Sequence, residues 1–137
     1  MSENVLTRPV PYPSHISEPF WQACRRHELV IQRCDDCSTF VFYPRATCTS
    51  CGSEALTWQP VSGRGTLFTY TIARRPTHRR LASRVPYVIA VIELDEGPHL
   101  TSTVIDCDVE TLRIGQRVVV DFEDLDEVAI PVFKLAD

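Results

Sequence analysis

The sequence predicts a mostly β protein, in which an N-terminal helix and a four-cysteine ribbon precede a small five-stranded barrel or sandwich. Two observations carry this prediction. Two CxxC pairs lie within residues 34–51, and five strand-like segments at short spacings follow residue 63 with no helical pattern between them. The length of 137 residues suits one globular domain, or one domain with a small appendage.

Composition and charge exclude several classes of protein. The apolar fraction of 44% is ordinary for a globular chain, and the net charge of −4 argues against a protein whose main task is to grip nucleic acid. Residues 1–15 lack the apolar run of a secretory signal, and no stretch approaches about 18 consecutive apolar residues. We therefore expect a soluble cytoplasmic protein, with no membrane partner, whose thiols stay reduced.

Residues 1–28 are predicted to form an arm followed by a helix. Three prolines between residues 9 and 13 favour extended, polyproline-like backbone, which suits either a frayed terminus or a partner-binding arm. A helix is predicted to begin after Ser17, which can cap it. Phe20 and Trp21 belong to its aromatic stripe, which must pack either on the core of this chain or on another protein.

Residues 29–58 are predicted to form the ribbon. The strand-like segments "LVIQR" and "TFVFY" flank the first CxxC pair and predict a hairpin. In each pair the spacing lets one tight turn point both sulfurs at one ion, and two such turns supply four thiolates to a tetrahedral metal. Gly52 follows the second pair, where a positive φ is useful, and Ser38 occupies the matching place after the first. The predicted ligands are Cys34, Cys37, Cys48 and Cys51.

Other uses of the four cysteines fit the pattern less well. A thioredoxin-like redox site needs one CxxC in a βαβ setting, and a disulfide is disfavoured in a reducing compartment. A catalytic zinc keeps one position open for water, whereas four cysteines close it. Structural zinc is the leading interpretation, and iron in the same four-thiolate geometry is the alternative. The lone Cys24 and Cys107 are expected to be small buried residues rather than reactive thiols.

Residues 59–137 are predicted to form the barrel. Its five strand-like segments are "GTLFTYTIARR", "PYVIAVIEL", "HLTSTVID", "RIGQRVVVDF" and "VAIPVFKL". The glycines of "SGRGT", residues 62–66, are expected to let the chain turn sharply into the first of these strands. That segment lacks the GxGxxG spacing of a dinucleotide-binding loop, and the motifs GxSxG and HExxH are absent from the chain.

Residues 73–84, "ARRPTHRRLASR", form a basic loop between the first two barrel segments. Three interpretations remain open: a solvated loop, an anion site for the phosphates of a nucleotide-bearing ligand or an acidic partner, and a nucleic-acid contact. The last is disfavoured because the strands lack a row of aromatics for base stacking and because residues 121–127 are acidic. The arginines of the loop are Arg74, Arg75, Arg79, Arg80 and Arg84.

The order of the motifs carries a family resemblance across roughly residues 17–135. It consists of "EPFWQACRRHELVIQRC", the four-cysteine ribbon, "VSGRGTLFTYTI", "PYVIAVIEL" and "IGQRVVVDF…IPVFKL". In this order the chain resembles the acyl-CoA-associated OB-fold proteins with a rubredoxin-like zinc ribbon. The resemblance implies a four-cysteine zinc ribbon followed by a five-stranded OB-fold barrel. The chain departs from the commoner family pattern at Ser38, where glycine is usual.

The same resemblance implies a non-catalytic accessory role. Such proteins accompany thiolase-like acyl-CoA enzymes: thiolases, side-chain-cleaving aldolases of steroid degradation, and acyltransferases. The accessory chain supports assembly, expected here as a symmetric heterotetramer, and helps shape a CoA or acyl channel, while the partner performs the chemistry. Phe20 and Trp21 match an aromatic helix that faces acyl groups or the partner, and Arg64 is a weaker candidate contact. The alternatives are a stand-alone nucleic-acid-binding OB module and an independent acyl-CoA-binding protein.

Overall fold

The computed structural model describes residues 11–76, 78–125 and 127–136, and every structural statement concerns these residues. It contains one α-helix, nine β-strands and two short 3-10 helices, over Arg79–Arg84 and Val109–Thr111. The mostly β class with an N-terminal helix is therefore confirmed. The elements are α1 (Glu18–Arg25), β1 (Val30–Cys34), β2 (Phe40–Val41), β3 (Leu56–Pro60), β4 (Arg64–Ala73), β5 (Tyr87–Leu94), β6 (His99–Ser102), β7 (Val104–Ile105), β8 (Arg117–Leu125) and β9 (Val128–Leu135).

Helix α1 begins where the sequence predicted. Glu18 is an acidic residue in the first turn, and Pro19 lies where the missing N–H costs nothing. The expected cap differs, because the Ser17 side chain makes no capping hydrogen bond. Its Oγ instead accepts a hydrogen bond from the Ser14 backbone N–H at 2.9 Å. The helix ends just before His27, whose φ of 60° leaves the helical region.

The helix packs inward on the chain's own core. Phe20, Ala23 and Cys24 are buried, and the helix contacts β9 and β1. An eight-residue helix is too short to be stable alone, so this packing holds it in place. Of the two packing alternatives left open by the sequence, the structure shows the intrachain one for Phe20, which is only 4% exposed.

The ribbon is built on a three-stranded antiparallel sheet in the order β2-β1-β3. The predicted hairpin is present, with Gln32 opposite Val41, but only residues 40–41 of "TFVFY" remain in a strand. Strand β3 was not predicted, because its sequence "LTWQP" lacks a clear alternation. It crosses the predicted boundary after residue 58 while pairing with β1, so the domain division stays a prediction.

The second sheet has six strands in the order β6-β5-β4-β8-β9-β7. All its pairs are antiparallel except β7 with β9. The sequence predicted five strands, and the difference lies in "HLTSTVID", which divides at Thr103 into β6 and β7. Before Thr103 the chain pairs with β5, and after it with β9. Because β6 and β7 end the strand order on opposite sides, this one segment links both edges of the sheet.

The chain turns into β4 with a positive φ at Gly63, which fits the sharp turn predicted for "SGRGT", and it also approaches its neighbours closely there. Gly63 has a φ of 75°, and a Cβ there would lie 2.4 Å from Val120 Cγ1. At Gly65 a Cβ would lie 2.6 Å from the Glu93 backbone oxygen. A larger residue would therefore push β4 away from β5 or β8. No helix in the described part of the chain is long and apolar enough to span a membrane.

Candidate functional site

The four predicted metal ligands come together at the tip of the ribbon. Their Sγ atoms all lie within 4.8 Å of one another. The Sγ–Sγ distance is 3.6 Å for Cys34 with Cys51 and for Cys37 with Cys48, so no disulfide joins them. A tetrahedral metal with metal–sulfur bonds of about 2.3 Å would separate its sulfurs by about 3.8 Å. The cluster therefore has the dimensions of a four-thiolate metal site.

The two CxxC turns repeat the same backbone hydrogen bonds. Ser38 N–H donates to Cys34 O at 2.8 Å, and Gly52 N–H donates to Cys48 O at 2.9 Å. The residue after each pair has a positive φ, 66° at Ser38 and 78° at Gly52. The matching roles of these two residues are thus visible in the structure. Ser38 adopts a conformation that glycine would reach without steric cost.

The acid–base properties of the cluster favour a bound cation. The Thr39 hydroxyl and backbone lower the pKa of Cys37 to about 6. The Ser53 backbone acts to lower the pKa of Cys51, but the nearby sulfurs of Cys34 and Cys37 outweigh it and raise that pKa to about 12. Without a cation, the four sulfurs therefore cannot all be ionised together at neutral pH. A divalent metal would supply the missing positive charge, so the donor set fits such an ion.

A groove of about 790 Å³ lies beside the ribbon. It is bounded by α1, by residues 42–44 of the ribbon, by the 3-10 helix of residues 79–84, by β5 to β7 and by β9. Its floor includes Val88, Leu100 and Val104, which are all buried. This volume falls in the range of ligand pockets, which are roughly 300–1,000 Å³.

One wall of the groove is aromatic. The Phe20 and Trp21 rings meet edge to face at 5.0 Å, and Phe20 lies 5.4 Å from Phe42. The Phe42 and Tyr43 rings are 4.4 Å apart. Phe20 thus anchors the wall in the core, whereas Trp21 is only partly buried and Tyr43 is 49% exposed. Such a wall suits an apolar group or an apolar partner surface.

The polar groups at the groove edge are paired. Arg84 forms an ion pair with Glu123, and the Arg84 Nη1 to Glu123 Oε1 distance is 3.2 Å. The Tyr43 hydroxyl oxygen accepts a hydrogen bond from the Thr101 backbone N–H at 3.3 Å. Because Thr101 lies in β6, this bond joins the ribbon directly to the barrel. The polar edge therefore mainly holds the walls in place.

The other candidate arginines lie outside the groove lining. Arg74 forms an ion pair with Glu110 at 3.1 Å. The side chain of Arg64, at the start of β4, is exposed. The structure therefore brings Phe20 and Trp21 together at the groove but leaves these arginines out of its lining. Among these candidate arginines, the exposed ones for which the described residues provide no ion pair are Arg64, Arg75, Arg79 and Arg80.

The remaining thiols are poorly suited to nucleophilic chemistry. Burial raises the pKa of Cys24 to about 12, and desolvation also raises the pKa of Cys107. Both thiols are therefore protonated near neutral pH, whereas the thiolate is the nucleophile. His27 contacts Asp124 at 2.9 Å and stacks on Phe122, and no hydroxyl or thiol is bonded to it among the described residues.

Sequence reasoning missed Phe42, Tyr43 and Leu81 as groove residues. Phe42 and Tyr43 were assigned to a strand, although the chain leaves β2 after Val41. The available signal was the adjacent pair of aromatics that ends "TFVFY", because a half-buried strand would alternate apolar and polar residues more strictly. Leu81 stands out only as an apolar residue within a basic loop.

Comparisons with known proteins agree with this architecture. Residues 21–57 match the family model described as the ChsH2 rubredoxin-like zinc ribbon domain. Residues 58–123 match the model described as the ChsH2 C-terminal OB-fold domain. The predicted order of zinc ribbon and OB-fold is confirmed by these matches, and the four cysteines are those that could bind a metal.

Individual relatives cover most of the chain. A probable enoyl-CoA hydratase alpha subunit of Thermomonospora curvata is 35% identical over 130 residues, 94% of this chain but 40% of that protein. The chain therefore spans about two fifths of that relative. A DUF35 domain-containing scaffold protein of Methanothermobacter thermautotrophicus is 32% identical over 104 residues, 75% of this chain and 77% of that one.

A solved structure shows the same fold. A chain of the Ltp2-ChsH2(DUF35) aldolase superimposes with a TM-score of 0.84 at 32% identity, covering 93% of this chain and 100% of that one. The shared zinc ribbon, the OB-fold and the identity over most of both chains together establish the family. The chain belongs to the DUF35 family, in the ChsH2-type arrangement of a rubredoxin-like zinc ribbon followed by an OB-fold domain.

Proposed function

We propose that this chain is a non-catalytic accessory subunit of a thiolase-like acyl-CoA enzyme, such as a thiolase, a steroid side-chain-cleaving aldolase or an acyltransferase. The observation that carries the proposal is the apolar groove with its aromatic wall, in a chain whose Cys24 and Cys107 have raised pKa values that make them poor nucleophiles. The groove offers a place for an acyl group or for the partner, and the partner supplies the reacting residues.

The names of the relatives support this role. One is called a hydratase alpha subunit, another a scaffold protein, and the solved relative is named as an aldolase together with Ltp2. All three names describe parts of larger assemblies or support for them. A two-fold partner enzyme would bind two copies of this chain, giving a symmetric heterotetramer. The cytoplasmic location and the domain division at residues 28 and 58 remain part of the proposal.

The partner is identified by purifying the tagged chain from its native host at near-endogenous levels. A thiolase-fold enzyme is expected to remain bound. A chain that is recovered only as a free monomer would contradict the proposal. Mass spectrometry of the bound enzyme also names the reaction class, because thiolases, aldolases and acyltransferases are distinct proteins.

The groove's part in the function is tested in the reconstituted complex with the Trp21→Ala variant. If the groove lines an acyl channel, KM for a long acyl-CoA rises while the complex stays intact. If the groove docks the partner, the complex dissociates. Ile114→Ala is the matched control, because Ile114 is 66% exposed and lies outside the groove lining. An intact complex with unchanged kinetics for Trp21→Ala would refute both roles.

Independent acyl-CoA binding is the second candidate. One observation favours it: the 3-10 helix carries Leu81 on the groove, while Arg79 and Arg80 on the same helix are exposed. An apolar site beside cations would suit an acyl group with a phosphate-bearing head. Calorimetry of the isolated chain with CoA and with a long acyl-CoA tests it. Tight binding without a partner would favour this candidate over the accessory role.

Nucleic-acid binding by the OB-fold is tested in parallel by titration with single-stranded DNA and RNA at two salt concentrations. Absence of binding at the lower salt concentration removes this alternative, because phosphate contacts are strongest there.

The metal at the four cysteines is proposed to be structural zinc, with iron as the alternative. Four sulfurs at 3.6–4.8 Å leave no open coordination position, which suits a structural ion. Elemental analysis of protein purified without added metal separates the two, and an iron-loaded protein would also be coloured.

A further inference from the structure

Gln32 is the one polar residue among the buried side chains of the described chain, at 5% exposure. Both ends of its amide are satisfied by one backbone position. Gln32 Nε2 donates to Arg45 O at 2.8 Å, and Arg45 N–H donates to Gln32 Oε1 at 2.8 Å. A buried amide that forms two short hydrogen bonds to the same residue fixes the position of that residue firmly.

The residue that Gln32 holds directly follows the ribbon part of the groove wall. Phe42, Tyr43 and Pro44 line the groove, and they lie immediately before Arg45. The Tyr43 hydroxyl oxygen in turn accepts a hydrogen bond from the backbone N–H of Thr101 in β6. The wall is thus bonded to the ribbon through Gln32 and to the barrel through Tyr43.

The same wall segment connects the two halves of the sulfur cluster. It forms part of the chain between Cys37, in the first CxxC pair, and Cys48, in the second. Gln32 and Cys34 also lie on one face of β1, because alternate residues of a strand point to the same side. A metal bound by the four sulfurs would therefore fix both ends of the segment between Cys37 and Cys48. Gln32 fixes the same segment at Arg45, between those ends.

We propose that the ribbon part of the aromatic wall, residues 42–44, is positioned by Gln32 as the positioning residue, so that metal binding at the four cysteines determines whether this part of the wall is formed. Gln32 is neither one of the four predicted ligands nor a lining residue of the groove. It acts through the backbone of Arg45. The proposal does not depend on what occupies the groove, and it can hold even if the accessory role fails.

The test uses full-length protein and amide hydrogen exchange measured by NMR. In Gln32→Met, an unbranched side chain of similar length removes both hydrogen bonds to Arg45. The metal content is expected to stay at the wild-type value. Exchange of the Arg45 and Thr101 amides is expected to accelerate about tenfold or more, equivalent to about 1.4 kcal/mol. Exchange of the Ile92 amide in the barrel is expected to be unchanged.

Two control variants test whether the change in exchange is specific to Gln32 and whether it passes from Arg45 to Thr101. Gln59→Met alters a glutamine of β3 whose side chain makes no hydrogen bond with described residues, and it should leave all these amides unchanged. Tyr43→Phe removes only the hydroxyl that accepts the Thr101 N–H, so it should free Thr101 but not Arg45. Wild-type exchange at Thr101 in Gln32→Met would overturn the proposal.

Metal removal provides the second arm. Chelation is expected to release the Arg45 and Thr101 amides, and adding zinc back is expected to restore their protection. If Thr101 stays protected in metal-free protein with an intact barrel, the proposal is wrong. If chelation unfolds the whole chain, the role given to the metal is overturned, because its loss is then not confined to the wall, and the Gln32→Met result decides only the role of Gln32.

Discussion

Truncation of Phe20 tests whether α1 is held by this chain's own core. The ring is 4% exposed and lies 5.0 Å from Trp21 and 5.4 Å from Phe42. Phe→Ala changes in cores cost about 3–5 kcal/mol, from lost burial and from the cavity left behind. Total stabilities are about 5–15 kcal/mol, so Phe20→Ala is expected to lower Tm by about 10–20 °C.

The assay is urea and thermal denaturation of the metal-loaded protein, followed by circular dichroism. Phe68→Ala is the matched control, because it removes the same ring from a position that is 48% exposed. Its expected cost is below about 1 kcal/mol. If Phe20→Ala cost no more than this control, the burial of α1 against β9 would contribute little to stability. The aromatic helix would then be better understood as a surface for another protein.

Two further predictions concern the barrel. Arg117 hydrogen-bonds to Asp95 and lowers the pKa of that carboxyl below its usual 3.8. The ion pair therefore stabilises the fold fully above pH 3.8, and this stabilisation is lost as the pH falls through the folded-state pKa of Asp95. Asp95→Asn should therefore be less stable than wild type at neutral pH and equal to it in strong acid, and a pH-independent difference in urea denaturation would contradict this. Gly65→Ala should cost about 1–3 kcal/mol in the same assay, because its Cβ would meet the Glu93 backbone oxygen at 2.6 Å, and an unchanged midpoint would mean that β4 and β5 can separate freely.

The sequence was most informative where local spacing decides the structure. Two residues between cysteines fix the shape of each turn, so the four-sulfur cluster and the positive φ at Ser38 and Gly52 could be read from the chain. The sharp entry into β4 was equally local, because only glycine fits at Gly63 and Gly65. These features depend on neighbours within a few positions of one another or on one close backbone approach.

Features that depend on distant partners were not predictable from the sequence. Nothing in "HLTSTVID" indicates that the chain changes partner at Thr103, because the signal lies in β9, about thirty positions later. The groove is likewise assembled from α1, the ribbon, the 3-10 helix of residues 79–84 and four strands of the second sheet. Nothing in "LVIQR" marks Gln32 as a buried residue. It is buried because the Arg45 backbone provides a partner for each end of its amide.

The composition of the ribbon explains why its rigidity and the groove are linked. The small buried cluster of the ribbon consists of Cys34, Val41 and Cys48, with Leu56 packed against it. Two of its three buried members are thus predicted metal ligands, and so few apolar atoms cannot order a segment of this size. The larger core lies under α1 and the barrel, and it includes Phe20 at the foot of the groove wall. Phe42 also packs against this core, so the part of the wall formed by Phe20 and Phe42 is ordered by the core. The proposal assigns the order of the remaining part, around Tyr43, to the sulfur cluster and Gln32. A perturbation of the ribbon should accordingly accelerate amide exchange at the groove wall at a smaller loss of stability than is needed to accelerate it in the barrel.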